Sequence, residues 1–206
     1  MEWNNQPWTC FTAMHRRFFA LPLEKKNSTS INKSPSFNGY IESGSEKSNN
    51  VVDTREGMYL GRKYSHDKVM IDNFPDESDL PGFAETVRTY RAQLIKLGFA
   101  MMKAVAVGLG LPDNYFEDKC SPPINLMSFW HYPLHPAETD SWGVGPHTDY
   151  GMWTFLLQDD VGGLEAEITE GKWNRLEANT RHILWLTWET ASRLGPKVCI
   201  EPQDIV

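Results

Sequence analysis

His147-Thr148-Asp149-Tyr150-Gly151, continuing as Met152-Trp153-Thr154-Phe155-Leu156-Leu157-Gln158-Asp159-Asp160-Val161-Gly162-Gly163-Leu164, is the stretch whose reading decides the fold. Its apolar run, Met152 to Gln158, predicts a strand. Asp159 to Gly163 predicts a turn, and Leu164 to Ile168 a returning strand. His147 and Asp149 stand at the mouth of the first strand, between Pro146 and Gly151. Two residues apart on extended backbone, they share a side, because strand side chains alternate faces. An imidazole beside a carboxylate supplies two of the three ligands of the facial arrangement that holds non-haem iron(II) and leaves positions open for chemistry. A His beside an Asp is also a common hydrogen-bonded couple, and that reading stays open. The setting favours the metal, since a rigid strand presents the pair to a cavity.

The same texture extends outward. Asn125 to Tyr132 predicts a strand ending at Pro133, and Glu170-Gly171-Lys172 a tight connection into Trp173, with Lys172 and Trp173 structural. Short strands separated by Gly and Asp turns suggest a jelly-roll double sheet. Asp159 and Asp160 are adjacent carboxylates, but a turn is where such residues serve as solvated punctuation. Asp53 and Glu56 read as surface charge near a pocket mouth.

Upstream the period changes. Phe11, Met14, Phe18 and Leu21 predict a helix from Phe11 to Leu21, with Pro22 just past it. Phe83, Val87, Tyr90, Leu94, Leu97 and Met101 predict a long helix from Phe83 to Leu109, punctuated by Gly108, Gly110 and Pro112. Its Met and aromatic positions read as core. Asn27 to Asn50, rich in Ser, Asn and Gly, reads as a long loop. It is either a disordered surface segment or a frame for a pocket, because Phe37, Tyr40 and Ile41 are costly to expose. Helices first and strands second give an α+β ordering. The expected division is a helical region with a long loop over 1–120 and a partial strand domain over 121–206. No internal repeat is visible.

At 206 residues the chain fits one ordinary domain and can bury a core. A net charge of −7 argues against binding a phosphate backbone, so no nucleic-acid partner is expected. Cys10, Cys120 and Cys199 are an odd count without paired spacing and read as thiols in a reducing compartment. Met1 to Gln6 carries no signal-peptide pattern. The most apolar run, Leu97 to Leu111, is broken by Lys103 and is too short to span a bilayer. A cytoplasmic protein without a membrane partner is the expectation; nothing in the sequence fixes an oligomeric state.

Several segments together resemble the iron(II)- and 2-oxoglutarate-dependent dioxygenases, in the branch with isopenicillin N synthase-like and plant flavonoid and hormone oxygenases. They are Arg17 to Lys26, Phe37-Asn38-Gly39-Tyr40, Leu109-Gly110-Leu111-Pro112 with Tyr115-Phe116, Phe129-Trp130-His131-Tyr132-Pro133, and Pro146 through Leu164. They cover most of residues 11 to 173 in the family's order. The resemblance implies N-terminal helices packed on a double-stranded β-helix, a jelly roll that is incomplete here. It implies Fe(II) as the metal, 2-oxoglutarate as cosubstrate, ascorbate as a supporting reductant, and a small organic molecule as substrate. Hydroxylation, desaturation and ring closure all remain open. His147 and Asp149 match the first two metal ligands. Tyr132 matches a position that commonly hydrogen-bonds the cosubstrate carboxylate, although a strand-end aromatic capping the core is the other reading. His131, on the opposite face, reads as structural, and His135 as a loop residue.

The sequence also departs from that pattern. In the family a second His ligand lies well after the Asp, and an Arg that pairs with the far carboxylate of 2-oxoglutarate follows. Here the only His after Asp149 is His182, too near and in an unrelated context, and no Arg stands at the cosubstrate position. From Asn174 onward the resemblance is expected to lapse, so 174–206 is read as divergent. Back-translating Asn179 to Val206 and shifting the frame by two nucleotides permits an Asn-x-Gly-Asp turn and a distal His whose codon straddles Asp204 and Ile205. The expectation is a frameshift or misplaced splice junction between about Trp173 and Asn179, which the transcript decides. The N-terminus is also short against the family, so both ends of the sheet are expected to lack strands and leave unpaired edges. Impaired turnover follows, with His182, then Asp204 or Glu201, as substitute ligands if turnover is brisk. The alternatives are a non-catalytic small-molecule-binding module and an unstable truncated product.

Overall fold

Residues 6–48, 50–61, 72–121, 123, 125–133, 143–149, 154–177 and 198–200 are described by the computed structural model of the chain. They fall into two compact units interleaved in sequence. The first is formed by 1–41 and 57–129, the second by 42–56 and 130–206.

In the first unit, aromatic spacing builds α1 (Gln6–Phe19) and buries Phe11, Phe18 and Phe19. The helix stops at Phe19, earlier than the predicted Leu21. Ala20 and Leu21 N–H groups donate to Arg16 and Phe18 carbonyls, and Pro22 then opens the short α2 (Leu23–Ser28). The long helix α3 (Phe83–Gly108) matches its predicted start and ends one residue before the predicted Leu109. Its C-terminus is a Schellman closure. Leu111 N–H donates to Ala106 O and Gly110 N–H to Val107 O, with Gly110 at φ +72°.

The segment read as a loop over Asn27 to Asn50 is instead structured. It holds the end of α2, a 3₁₀ turn at Ile31–Lys33, and strands β1 (Gly39–Ile41) and β2 (Lys47–Ser48). Polar side chains organise it locally. Ser34 Oγ accepts from Ser36 and Asn38 N–H groups, and Tyr40 N–H donates to Thr29 O at 2.8 Å. Tyr40 and Ile41 are buried as their apolarity demands, whereas Phe37 is half exposed.

β1 pairs antiparallel with β4 (Glu56–Leu60), in register Gly39↔Tyr59, Tyr40↔Met58 and Ile41↔Gly57. With β5 (Met127–His131) these strands form a sheet ordered β1-β4-β5. The core of this unit is aromatic. Phe11 stacks on Tyr90 at 4.5 Å and Phe18 on Phe83 at 5.4 Å, and Phe129 presents its edge or face to both Phe18 and Phe83. Met58, Leu60, Val87 and Leu80 complete it. Arg91 ties its polar margin, bonding Asp72 at 3.1 Å and Asn125 at 2.7 Å.

The second unit carries the hairpin of β2 and β3 (Val51–Val52) and a sheet of β6 (Val144–His147), β7 (Leu164–Thr169), β8 (Lys172–Arg175) and β9 (Val198–Ile200). The order is β6-β9-β7-β8, with β9 antiparallel to both neighbours. Residues 198–200, within the stretch read as divergent, thus lie between the strand that ends at His147 and the strand that begins at Leu164. The β7–β8 hairpin turns where Glu170-Gly171 predicts it. Leu164 and Ala166 are buried against Leu156 and Leu176.

Thr154 to Gln158 is not the strand its apolar run predicts, although Leu156 makes an isolated bridge; Met152 and Trp153 lie outside the described residues. Apolar pattern gives a segment its tendency, but a strand forms only where a partner backbone lies in register. Across the described residues the class is α+β. Their strands form separate sheets of three, two and four strands, and a closed jelly roll is not among them. No helix among the described residues is long and apolar enough to cross a membrane.

Candidate metal and cosubstrate site

His147 is the last residue of β6, and its backbone pairs with Val198 of β9. The strand is held close to the β2 hairpin. A Cβ on Gly145 would come within 3.3 Å of the Ser48 side chain, and Thr54 N–H donates to Gly143 O. His147 Nδ1 lies 2.8 Å from Gly145 O, which accepts its proton in the neutral imidazole. Nε2 is then the lone-pair nitrogen, and it faces Asp149 Oδ1 at 3.4 Å. Backbone anchoring of one ring nitrogen is how proteins orient a metal-binding imidazole.

Two acceptors face each other here, and a cation between them resolves the conflict. A proton is one solution. The bond to Asp149 raises the His147 pKa, burial opposes this, and Gly145 O adds to the rise. At Asp149, burial pushes the carboxyl pKa up, but His147, the Thr154 side chain and the Arg55 charge outweigh it and hold the group below its ordinary value. A metal ion is the other solution. Asp149 Oδ2 is buried and has no hydrogen-bond partner, and a buried oxygen in that state calls for a ligand. One imidazole nitrogen and one carboxylate suit a borderline-to-hard divalent ion such as iron(II). Among the described residues no group of three His, Cys, Asp or Glu is placed to hold a metal, so the fit rests on two protein ligands.

Tyr132 follows β5 directly, and its phenol is buried, which pushes its pKa up. The neighbouring Arg55 charge acts the other way. Arg55 also acts electrostatically on both His147 and Asp149, so one neighbourhood in the second unit holds the three predicted site residues.

Arg55 is the residue that sequence reasoning missed. It sits between Asp53 and Glu56, and those two carboxylates were the signal. Read as surface charge, they are buried: Asp53 is 2 % exposed and Glu56 8 %. Asp53 Oδ2 lies 3.4 Å from Arg55 and accepts from Ser48 Oγ at 3.1 Å. Glu56 Oε1 meets His131 Nδ1 at 2.9 Å, consistent with a structural His131. Buried carboxylates are tolerated only with such partners. His135, His182, Glu201 and Asp204 lie outside the described residues.

Comparison with known proteins finds two matching regions of the chain. Residues 9–78 match the family described as non-haem dioxygenase in morphine synthesis N-terminal, and residues 123–186 match the 2OG-Fe(II) oxygenase superfamily. The second match carries the resemblance past Asn174, where the sequence reading ends it. The proline hydroxylase buaE of Petromyces alliaceus is 33% identical over 165 residues, covering 75% of this chain and 51% of that protein. The 2-oxoglutarate-dependent dioxygenase ecdK of Aspergillus rugulosus is 31% identical over 176 residues, covering 74% and 52%. Among solved structures, a full-length Neurospora crassa protein in complex with alpha-KG superposes with a TM-score of 0.76 at 26% identity, over 98% of this chain and 61% of that one. The chain spans about half the length of the curated relatives it matches. With both regions matched in order and the His147–Asp149 pair inside the second, the chain belongs to the 2OG-Fe(II) oxygenase superfamily, beginning with that superfamily's non-haem dioxygenase N-terminal region.

Proposed function

We propose that this chain carries the metal-facing part of an oxidoreductase that oxidises a C–H bond of a small organic molecule. The observation that carries the reading is the anchored imidazole Nε2 facing a carboxylate whose second oxygen is buried and unpartnered. His147 Nε2 and Asp149 would hold iron(II), and the Tyr132 hydroxyl would donate to a carboxylate of 2-oxoglutarate. When bound, iron(II) with 2-oxoglutarate and dioxygen supplies the oxidising power, the cosubstrate leaving as succinate and carbon dioxide.

The chain's own residues do the rest. Gly145 O holds the imidazole in the tautomer that offers Nε2, and the Thr154 side chain is among the neighbours that hold the Asp149 carboxyl below its ordinary value. The carboxylate stays ionised because the His147, Thr154 and Arg55 interactions outweigh its burial. Burial keeps the Tyr132 phenol protonated, and hence a donor, across the neutral range.

Two protein ligands hold a divalent ion less well than three. Between Asp149 and Val206 the sequence holds one histidine, His182. The 206-residue chain is therefore expected to convert 2-oxoglutarate to succinate slowly or not at all, assayed with added iron(II) and ascorbate. Brisk turnover would mean that another residue supplies the third ligand. Should small molecules bind without iron, and bind equally to His147→Ala, the chain is a binding module instead.

A further inference from the structure

Gly145 supplies the carbonyl that anchors the His147 ring, and its place in β6 is where the sheet holds that strand least. Val144 pairs with Ile200 and His147 with Val198, so Gly145 and Pro146 together stand opposite Cys199 alone. Such a bulge interrupts the ladder and bends the strand locally. Pro146 has no N–H to give to a ladder in any case. The carbonyl that lies 2.8 Å from His147 Nδ1 therefore needs another support.

The hairpin of β2 and β3 stands against that spot. A Cβ on Gly145 would lie 3.3 Å from Ser48 Cβ and 3.4 Å from Ser48 O. Gly145 does not have the left-handed backbone that favours glycine, so its missing side chain serves the close approach. Thr54 N–H, donating to Gly143 O at 3.2 Å, ties the same two segments a second time. Ser48 is itself well fixed. Its backbone pairs with Val51, and its hydroxyl donates to Asp53 Oδ2 at 3.1 Å. Asp53 is buried and lies 3.4 Å from Arg55, whose guanidinium stands 3.7 Å from the centre of the Trp130 ring. Of the two sides of this contact, the bulged strand is the one that yields.

We propose that Ser48 is a positioning residue for the metal pair: it sets where the Gly145 carbonyl stands, and through it the direction of the His147 imidazole. This rests on the reading of His147 as a metal ligand given under the proposed function. It gives the first matched region a share in the chemistry of the second, since Ser48 lies within residues 9–78 and His147 within 123–186.

The test is a size swap with two readings. Mn(II) affinity of the 206-residue chain is measured by paramagnetic resonance. The ring ¹⁵N shifts of His147 are measured without metal, at a pH where the imidazole is neutral. Gly145→Ala is expected to weaken Mn(II) on the order of tenfold, the effect of losing an outer partner of a metal-binding imidazole. The ring proton is expected to move in part from Nδ1 to Nε2. Ser48→Gly takes away the stop and produces the same changes to a smaller degree. The two substitutions together restore both readings, because the new methyl fills the space that the Ser48 side chain leaves. Losses that simply add in the double variant overturn the proposal. So does Ser48→Ala, which keeps the Cβ, if it rescues Gly145→Ala as fully as Ser48→Gly does. If Gly145→Ala fails to fold, Ser48→Gly alone decides: a shifted His147 tautomer sustains the proposal, and an unshifted one ends it. A wild-type chain that binds no Mn(II) refutes the metal reading of His147. In that event the ¹⁵N shifts still decide whether Ser48 positions the ring: displaced in each single variant and restored in the double, they sustain it, and unmoved they end it.

Discussion

Asp149 has two carboxylate oxygens with different fates. Oδ1 meets His147, while Oδ2 is buried with no partner. If the pair exists to hold a cation, Asp149→Asn should lower Mn(II) affinity by at least about tenfold, because an amide oxygen brings no charge to the ion. Paramagnetic resonance of free against bound Mn(II) reads this directly, and equal affinity in the variant would reduce the pair to a structural couple. Gly39 shows the same economy in the first unit. At φ +137° its missing Cβ would sit 2.1 Å from Thr29 O, a backbone atom that cannot swing aside. Gly39→Ala should therefore cost about 3 kcal/mol or more. A shifted denaturation midpoint is the measurement, and an unchanged one would mean that the turn from Thr29 to Tyr40 is looser than its hydrogen bonds indicate.

Among the elements, α3 is closed at both ends by local bonds. Before its start, Asp76 accepts from the Ser78 N–H at 2.8 Å and hydroxyl at 2.7 Å, and Glu77 accepts from the Gly82 N–H. The two Ser78 bonds hold the Asp76 carboxyl below its ordinary pKa, hydroxyl first. A depressed folded-state pKa means a contribution present above the ordinary value of 3.8 and lost as pH falls through the lower, folded one. Ser78→Ala should move Asp76 back upward in a carbonyl NMR titration; no movement would show that another group holds the carboxyl down. The helix C-terminus depends on Gly110. Ala there should destabilise by about 1 kcal/mol through the left-handed backbone alone, since no neighbouring atom lies near the added methyl.

The two units, taken one by one, carry very different cores. The first buries a cluster of interlocking aromatic and aliphatic side chains, from Phe11 to Phe129. The cluster described in the second is Leu164 and Ala166 with Leu156 and Leu176 beside them. Local stability follows buried apolar contact, so amide exchange should be slower in α3 and β4 than in β6 and β7. Mn(II) with 2-oxoglutarate should slow β6, because a ligand that binds only the folded site stabilises it by mass action. Equal protection in both units, or no response of the β6 amides at saturation, would contradict this picture.

Local patterning let the sequence settle a good deal by itself. Apolar spacing of three and four gave α3 to within one residue and located α1, which begins at Gln6, five residues before the expected Phe11, and Gly171 gave the β7–β8 turn. The two-residue spacing of His147 and Asp149 anticipated side chains on one side, and they stand 3.4 Å apart. These features depend on a residue and its near neighbours along the chain. What only the tertiary structure decided involves partners distant in sequence. Glu56 looks like surface charge until His131 meets it, and Asp53 until Trp130 covers its neighbour Arg55. Thr154 to Gln158 has the composition of a strand without becoming one, and the place beside β6 is taken by Val198 to Ile200. Burial of a charge and pairing of a strand are both set by what the rest of the chain brings alongside, and no local pattern encodes that.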